Sequence, residues 1–333
     1  MSQEGQFPAD NPAQPVVVPR PDEQPVSHEV PPSAGNGHSR RIWIAIAVFG
    51  VLAVLIGGAF GYRAVVGRLT GARKIDAAQQ LIVKADKSVV AIDKIIVSAV
   101  TVSNAKAASE LSPTIAPAQN DLKAALKLLD EARPTATEDE QRKAGLLGDS
   151  ARARLEMLAQ APTLLEATVK AANAKDLGEK GWKRANEADD LSDQAVSLFN
   201  KLNKASATES AKYDAQAQTA WLEAKGLIQQ AEAAFPQADF EPMLAYCDSK
   251  LAEVALSQQA TSAYLKGDVK RANQLADAFN AEDKRLVEVA KGLPASAGDV
   301  VAKAYDRVAG EASKAYFSAR ENATKADDRL RRF

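Results

Sequence analysis

Few of the side chains that do most enzymatic chemistry occur in this chain, and their positions set the first limit. Its 333 residues include two histidines, His28 and His38, and one cysteine, Cys247. No imidazole follows residue 38, so the long remainder has no Ser-His-Asp triad, Cys-His pair or ordinary zinc set. Cys247 lies at helical spacing with Leu244 and Leu251, the surroundings of a buried, inert thiol. A single cysteine also forms no intrachain disulfide. The densest acidic clusters are Glu138-Asp139-Glu140 and Glu187-Ala188-Asp189-Asp190. Both lack the spacing of a calcium loop and read as helix starts or solvated faces. The expectation is therefore no catalytic residue, no metal site and no cofactor. Lys+Arg number 42 against 43 Asp+Glu, a balance that gives no electrostatic footprint for nucleic acid.

Two indoles remain outside the first quarter of the chain. Trp221 falls in the apolar stripe Ala217, Trp221, Ala224, Ile228 and reads as core. Trp182, flanked by Lys180, Lys183 and Arg184, is the candidate for an exposed contact.

The elements that would position these residues begin with Ile42–Tyr62, 21 residues without a charge. As a helix this stretch is about 31 Å long, the thickness of a bilayer core. Arg40, Arg41 and Arg63 flank it, with Trp43, Phe60 and Tyr62 near its ends. The expectation is a retained signal-anchor: a single-pass protein of the cell membrane with the lipid bilayer as one partner. Its large C-terminal region is expected on the extracytoplasmic side, although Arg63, Arg68, Arg73 and Lys74 argue for the opposite orientation. Ala53, Gly57 and Gly61 form a small-xxx-small face for membrane helix packing, and with it a route to a homodimer. Ahead of this span, residues 1–41 hold eight of the chain's 15 prolines among polar residues. Such a tail is expected to be disordered, a spacer in which Pro12-Ala13-Gln14-Pro15 is a weak P-x-x-P docking match.

After the span no segment alternates with period two, and the remaining prolines fall at helix boundaries. The pattern predicts helices near 68–110, 115–133, 137–160, 163–203, 208–235, 241–265, 268–291 and 297–331, the fourth breaking around Gly178–Gly181. Thr137-x-x-Glu140 is a capping-box match, Asp239 precedes the first-turn Pro242, and Gly267-Asp268 and Gly292-Leu293-Pro294 read as helix stops. Within the juxtamembrane segment 63–110, the residues Ile75, Ala78, Ile82, Ala85, Val89, Ile92, Ile96 and Ala99 recur at three- and four-residue steps. That is a heptad seam, the mark of a coiled coil or of an antiparallel bundle core. Similar stripes run through 115–132 and through Val301, Tyr305, Val308, Ala312, Ala315, Ala319 and Ala323. Short connections favour the bundle.

The fold expected is thus all-α: a disordered tail (1–41), a transmembrane helix (42–62), the seam helix (63–110) and the rest of an elongated antiparallel bundle or α-solenoid (111–333). The function expected is a non-enzymatic, membrane-anchored scaffold or adaptor for protein partners. A helical sensor or ligand-binding module is the first alternative, and a carboxylate-based enzyme the second. A sizeable apolar pocket would favour the sensor, and a solid Ala-packed bundle the scaffold.

Overall fold

The computed structural model describes residues 71–333. The α-helices are α1 (Gly71–Ile96), α2 (Val102–Leu111), α3 (Ile115–Ala132), α4 (Glu138–Phe199), α5 (Lys204–Ala234), α6 (Glu241–Leu265), α7 (Val269–Ala290) and α8 (Ala297–Arg332), with no strand among the described residues. The chain divides into two compact units, the first comprising 71–173 with 302–333 and the second 174–301.

The membrane part of the expected fold and location is corrected. Among the described residues no helix is long and apolar enough to cross a membrane. Each carries charged side chains: α1 alone has Arg73, Lys74, Asp76, Lys84, Asp86, Lys87, Asp93 and Lys94. Each such charge costs about 2.5–3.5 kcal/mol at a bilayer centre. The single-pass, signal-anchor and cell-membrane assignments, with the extracytoplasmic orientation, therefore have no support in this structure. The stretch 42–62 on which they rested, the Ala53/Gly57/Gly61 face and the tail 1–41 lie outside the described residues. The all-α class and helical packing stand.

In the first unit, α1 runs antiparallel to α3, with Lys84 on Asp121 and Lys74 on Glu131. Its core joins Ile75, Ile82, Leu122, Leu129, Met157 and Tyr316 with many alanines. Alanine at alternate contact positions lets helix axes approach closely, so interdigitation rather than bulk fills the space. The seam from Ile75 to Ile92 is buried, packed within the chain; Ile96 is half-buried and Ala99 exposed. The seam stops because the helix stops. Ser98 Oγ donates to Lys94 O, Asn104 Nδ2 donates to Ala99 O, and Thr101 caps the next helix by accepting from Asn104 N. Local polar side chains thus offer the backbone partners that compete with a continuous helix.

The predicted boundary at Pro162 does not form, because α4 runs straight through it. A helix-interior proline supplies no N–H to the carbonyl four residues back. That carbonyl belongs to Leu158, and Gln119 Nε2 from α3 donates to it at 3.2 Å. Nor does α4 break at Gly178–Gly181, where the glycines serve close packing. A Cβ on Gly178 would meet Ala297 Cβ at 2.7 Å, and one on Gly181 would meet Ile228 Cγ1 at 2.8 Å. The capping box at Thr137 and Glu140 forms in both directions. At the N-terminus of α6, Phe240 rather than Asp239 takes the cap position, and Pro242 sits in the first turn. Gly267, at φ 82°, closes α6: Asp268 N donates to Ala263 O and Gly267 N to Tyr264 O. Asp268 then caps α7 through Arg271 N.

The second unit packs α5 antiparallel to both the later part of α4 and α6, with Arg184 on Glu223 and Lys225 on Asp248. Trp221, Phe235, Phe240 and Met243 are fully buried.

Candidate functional site

Buried polar groups and one aromatic cleft are the chemically distinctive places in the described chain. In the first unit Arg154, 1% exposed, reaches from α4 between Asp86 of α1 and Asp327 of α8. Its Nη2 lies 2.9 Å from Asp327 Oδ2 and 3.3 Å from Asp86 Oδ2, and Ser150 Oγ donates to Asp327 Oδ1 at 2.7 Å. One cation thus holds two carboxylates away from water. Burial raises the Asp86 carboxyl, Arg154 opposes the rise, and the nearby Asp327 charge adds to it. About a heptad further along α1, Asp93 accepts from Arg320 Nε at 2.7 Å and from Tyr316 Oη at 3.1 Å. Burial, together with the Asp93 charge, raises the Tyr316 phenol. These clusters fix the rotation of α1, α4 and α8 around one another, since a misregistered helix would strand a charge in the core.

The sequence reading missed these ion clusters. The signal was present: Asp86 and Asp93 lie seven apart and follow Ala85 and Ile92, so they share one edge of the seam. On α8 the expected stripe holds in part. Val301, Ala319 and Ala323 are buried and Tyr305 and Ala312 half-buried, whereas Val308 and Ala315 are exposed and Tyr316 and Asp327 turn inward toward polar partners on α1 and α4.

The second unit holds two further groups. Lys250 Nζ bridges Asp189 at 3.0 Å and Glu253 at 2.9 Å. Burial pushes Glu253 up to about 7 against the pull of Lys250. Asp214, 1% exposed, accepts from Ser257 Oγ at 3.1 Å, while its other oxygen has no protein partner. No nearby charge offsets its burial, which pushes it up to about 6. Cys247 is buried and its thiol is pushed up to about 12, first by burial and then by Asp248. No group of three or more His, Cys, Asp or Glu among the described residues is placed to hold a metal ion.

The aromatic cleft is built on Trp182. Trp182, Ala185, Asn186 and Asp189 occupy one face of α4 at steps of three, four and seven. Tyr246 of α6 packs on Trp182 with centroids 6.1 Å apart, and the buried Trp221 backs Tyr246 edge-on at 6.0 Å. Ala290 and the connection Leu293-Pro294-Ala295 complete a cleft of about 220 Å³. Trp182 is half-buried, so it presents part of its indole rather than standing free. The remaining sequence candidates, the seam residues, do not line this cleft.

Among the described residues, fold and site together show two all-α helical units, the second carrying a small aromatic cleft. No protein-family model, curated protein or solved structure matches the chain.

Proposed function

We propose that this chain is a non-enzymatic helical adaptor that docks another protein, with the Trp182–Tyr246 cleft as one point of contact. The observation that carries this reading is the size and placement of the cleft. At about 220 Å³ it falls below the roughly 300–1,000 Å³ of pockets that enclose a small molecule, but it offers a half-buried tryptophan to a protruding side chain. Aromatic residues held in such concavities are frequent anchors of protein interfaces. The alanine-filled cores support the same reading. The carboxylates most strongly perturbed, Asp86, Asp214 and Glu253, are buried between helices and do not line the cleft.

A photo-crosslinking side chain at the exposed Asn186, in the full chain in its native cells, tests this. The expected result is a discrete protein adduct that is absent when the same group is placed at the exposed Lys284. Equal adduct patterns at both positions, together with a thermal shift produced by a small metabolite, would replace the adaptor with a ligand-binding module.

A further inference from the structure

The cleft has a charge as well as a shape. Among its lining residues Asp189 is the one charged side chain. The ion cluster behind it comprises one ammonium, Lys250, between two carboxylates, Asp189 and Glu253. With Glu253 pushed up to about 7, the cluster is only partly negative at neutral pH, and Asp189 is the carboxylate it presents to the cleft. Lys250 and Glu253 are buried, with side chains 8% and 3% exposed, whereas that of Asp189 is 44% exposed. Its Oδ1 receives Lys250 at 3.0 Å, leaving the second oxygen available to a further donor. Trp182 stands two turns before Asp189 on the same face of α4, about 10.5 Å along the helix axis. Tyr246 packs beside Trp182, and Leu293 and Pro294 supply an apolar wall.

We infer that this cleft receives an arginine side chain presented by the partner polypeptide, its stem laid along the aromatic and proline surfaces and its guanidinium directed to Asp189. The inference rests on reading the cleft as a partner contact and adds the chemistry of what enters it. An anionic side chain would meet the half-exposed Asp189 carboxylate. A purely apolar one would cover the available Asp189 oxygen without giving it a donor, which is costly. A lysine would offer a compact, strongly hydrated ammonium that gives up its water reluctantly. A guanidinium is flat, weakly hydrated and polarised to stack on an indole while donating in its own plane. The volume suits one such side chain.

The test uses the full chain and three small probes: the N-acetyl amides of arginine, lysine and citrulline. Citrulline keeps the shape of arginine and removes the charge. The readout is the 19F resonance of 5-fluorotryptophan at position 182. A saturable shift is expected with arginine, with about tenfold weaker response to citrulline and an intermediate response to lysine. Asp189→Asn is expected to bring arginine down to the citrulline level, with circular dichroism confirming the fold. Leu293→Lys, which sets a cation at the rim without touching the ion cluster, is expected to weaken the arginine response as well. Equal responses to arginine and citrulline, or saturation by neither, would overturn the inference. Either result leaves the adduct at Asn186, the mark of the adaptor reading, unaffected. Loss of that adduct defeats the adaptor whatever the probes show.

Discussion

Asp214 shows how a single buried side chain sets a pH response. Its carboxyl titrates at about 6 when folded and at about 3.8 when unfolded, and the cause is burial. A raised carboxyl favours the protonated folded state. The contribution is fully present below pH 3.8 and is lost as pH rises to about 6. The loss amounts to about 3 kcal/mol by pH 7. Asp214→Asn, which is neutral throughout, is expected to raise stability at pH 7 and to flatten this slope, measured by urea denaturation between pH 4 and 8. An unchanged slope would mean that Asp214 gains a donor in solution. Arg154 is the opposite case, a buried charge whose partners depend on it. Arg154→Met leaves Asp86 and Asp327 facing each other without a cation, and a loss of about 3–5 kcal/mol is expected in chemical denaturation. Replacing all three with apolar residues of similar volume is expected to recover most of it. Neither site stood out in the sequence, because an isolated Asp or Arg on a helix reads as a solvated face until a second helix covers it.

The helices themselves were largely legible. Capping chemistry, proline positions and the three-four spacing placed the start of α3 and the limits of α6 and α7 within a residue or two. The departures have tertiary or local polar causes. Pro162 ought to end a helix, but Gln119 reaches from α3 to take the carbonyl that the proline leaves unpaired. Gln119→Ala is expected to cost about 1 kcal/mol, and less when Pro162→Ala has already restored the backbone donor. A double-mutant cycle measures that coupling, and strict additivity would remove the explanation. Gly181 was read as a potential break, yet it is a place where α4 and α5 pack closely. Gly181→Ala forces a methyl against Ile228 and the carbonyl of Ala224. It is expected to destabilise by about 1–3 kcal/mol in thermal melts, despite the better helix propensity of alanine.

For the whole chain, the buried thiol gives a convenient report. Cys247 is inaccessible and its thiol is held well above neutrality. Modification by a disulfide reagent at pH 8 is expected to proceed at the rate at which the second unit opens, and to accelerate in urea in step with loss of helix signal. Fast labelling of the native chain would contradict the packing described for α6. Composition and periodicity by themselves determined that the described region is all-α, that its stripes are apolar, and that it contains no imidazole. These follow from which residues are present and from the helical repeat, both local properties. Only tertiary structure decided which charges are buried, that Tyr316 and Asp327 of α8 turn inward and why α4 continues through a proline. It also decided that Trp182 shares a cleft with Tyr246, 64 positions away in the chain. Those outcomes depend on which helix covers which face, and a covering helix is specified by the joint free energy of all the contacts it makes, not by the residues it covers.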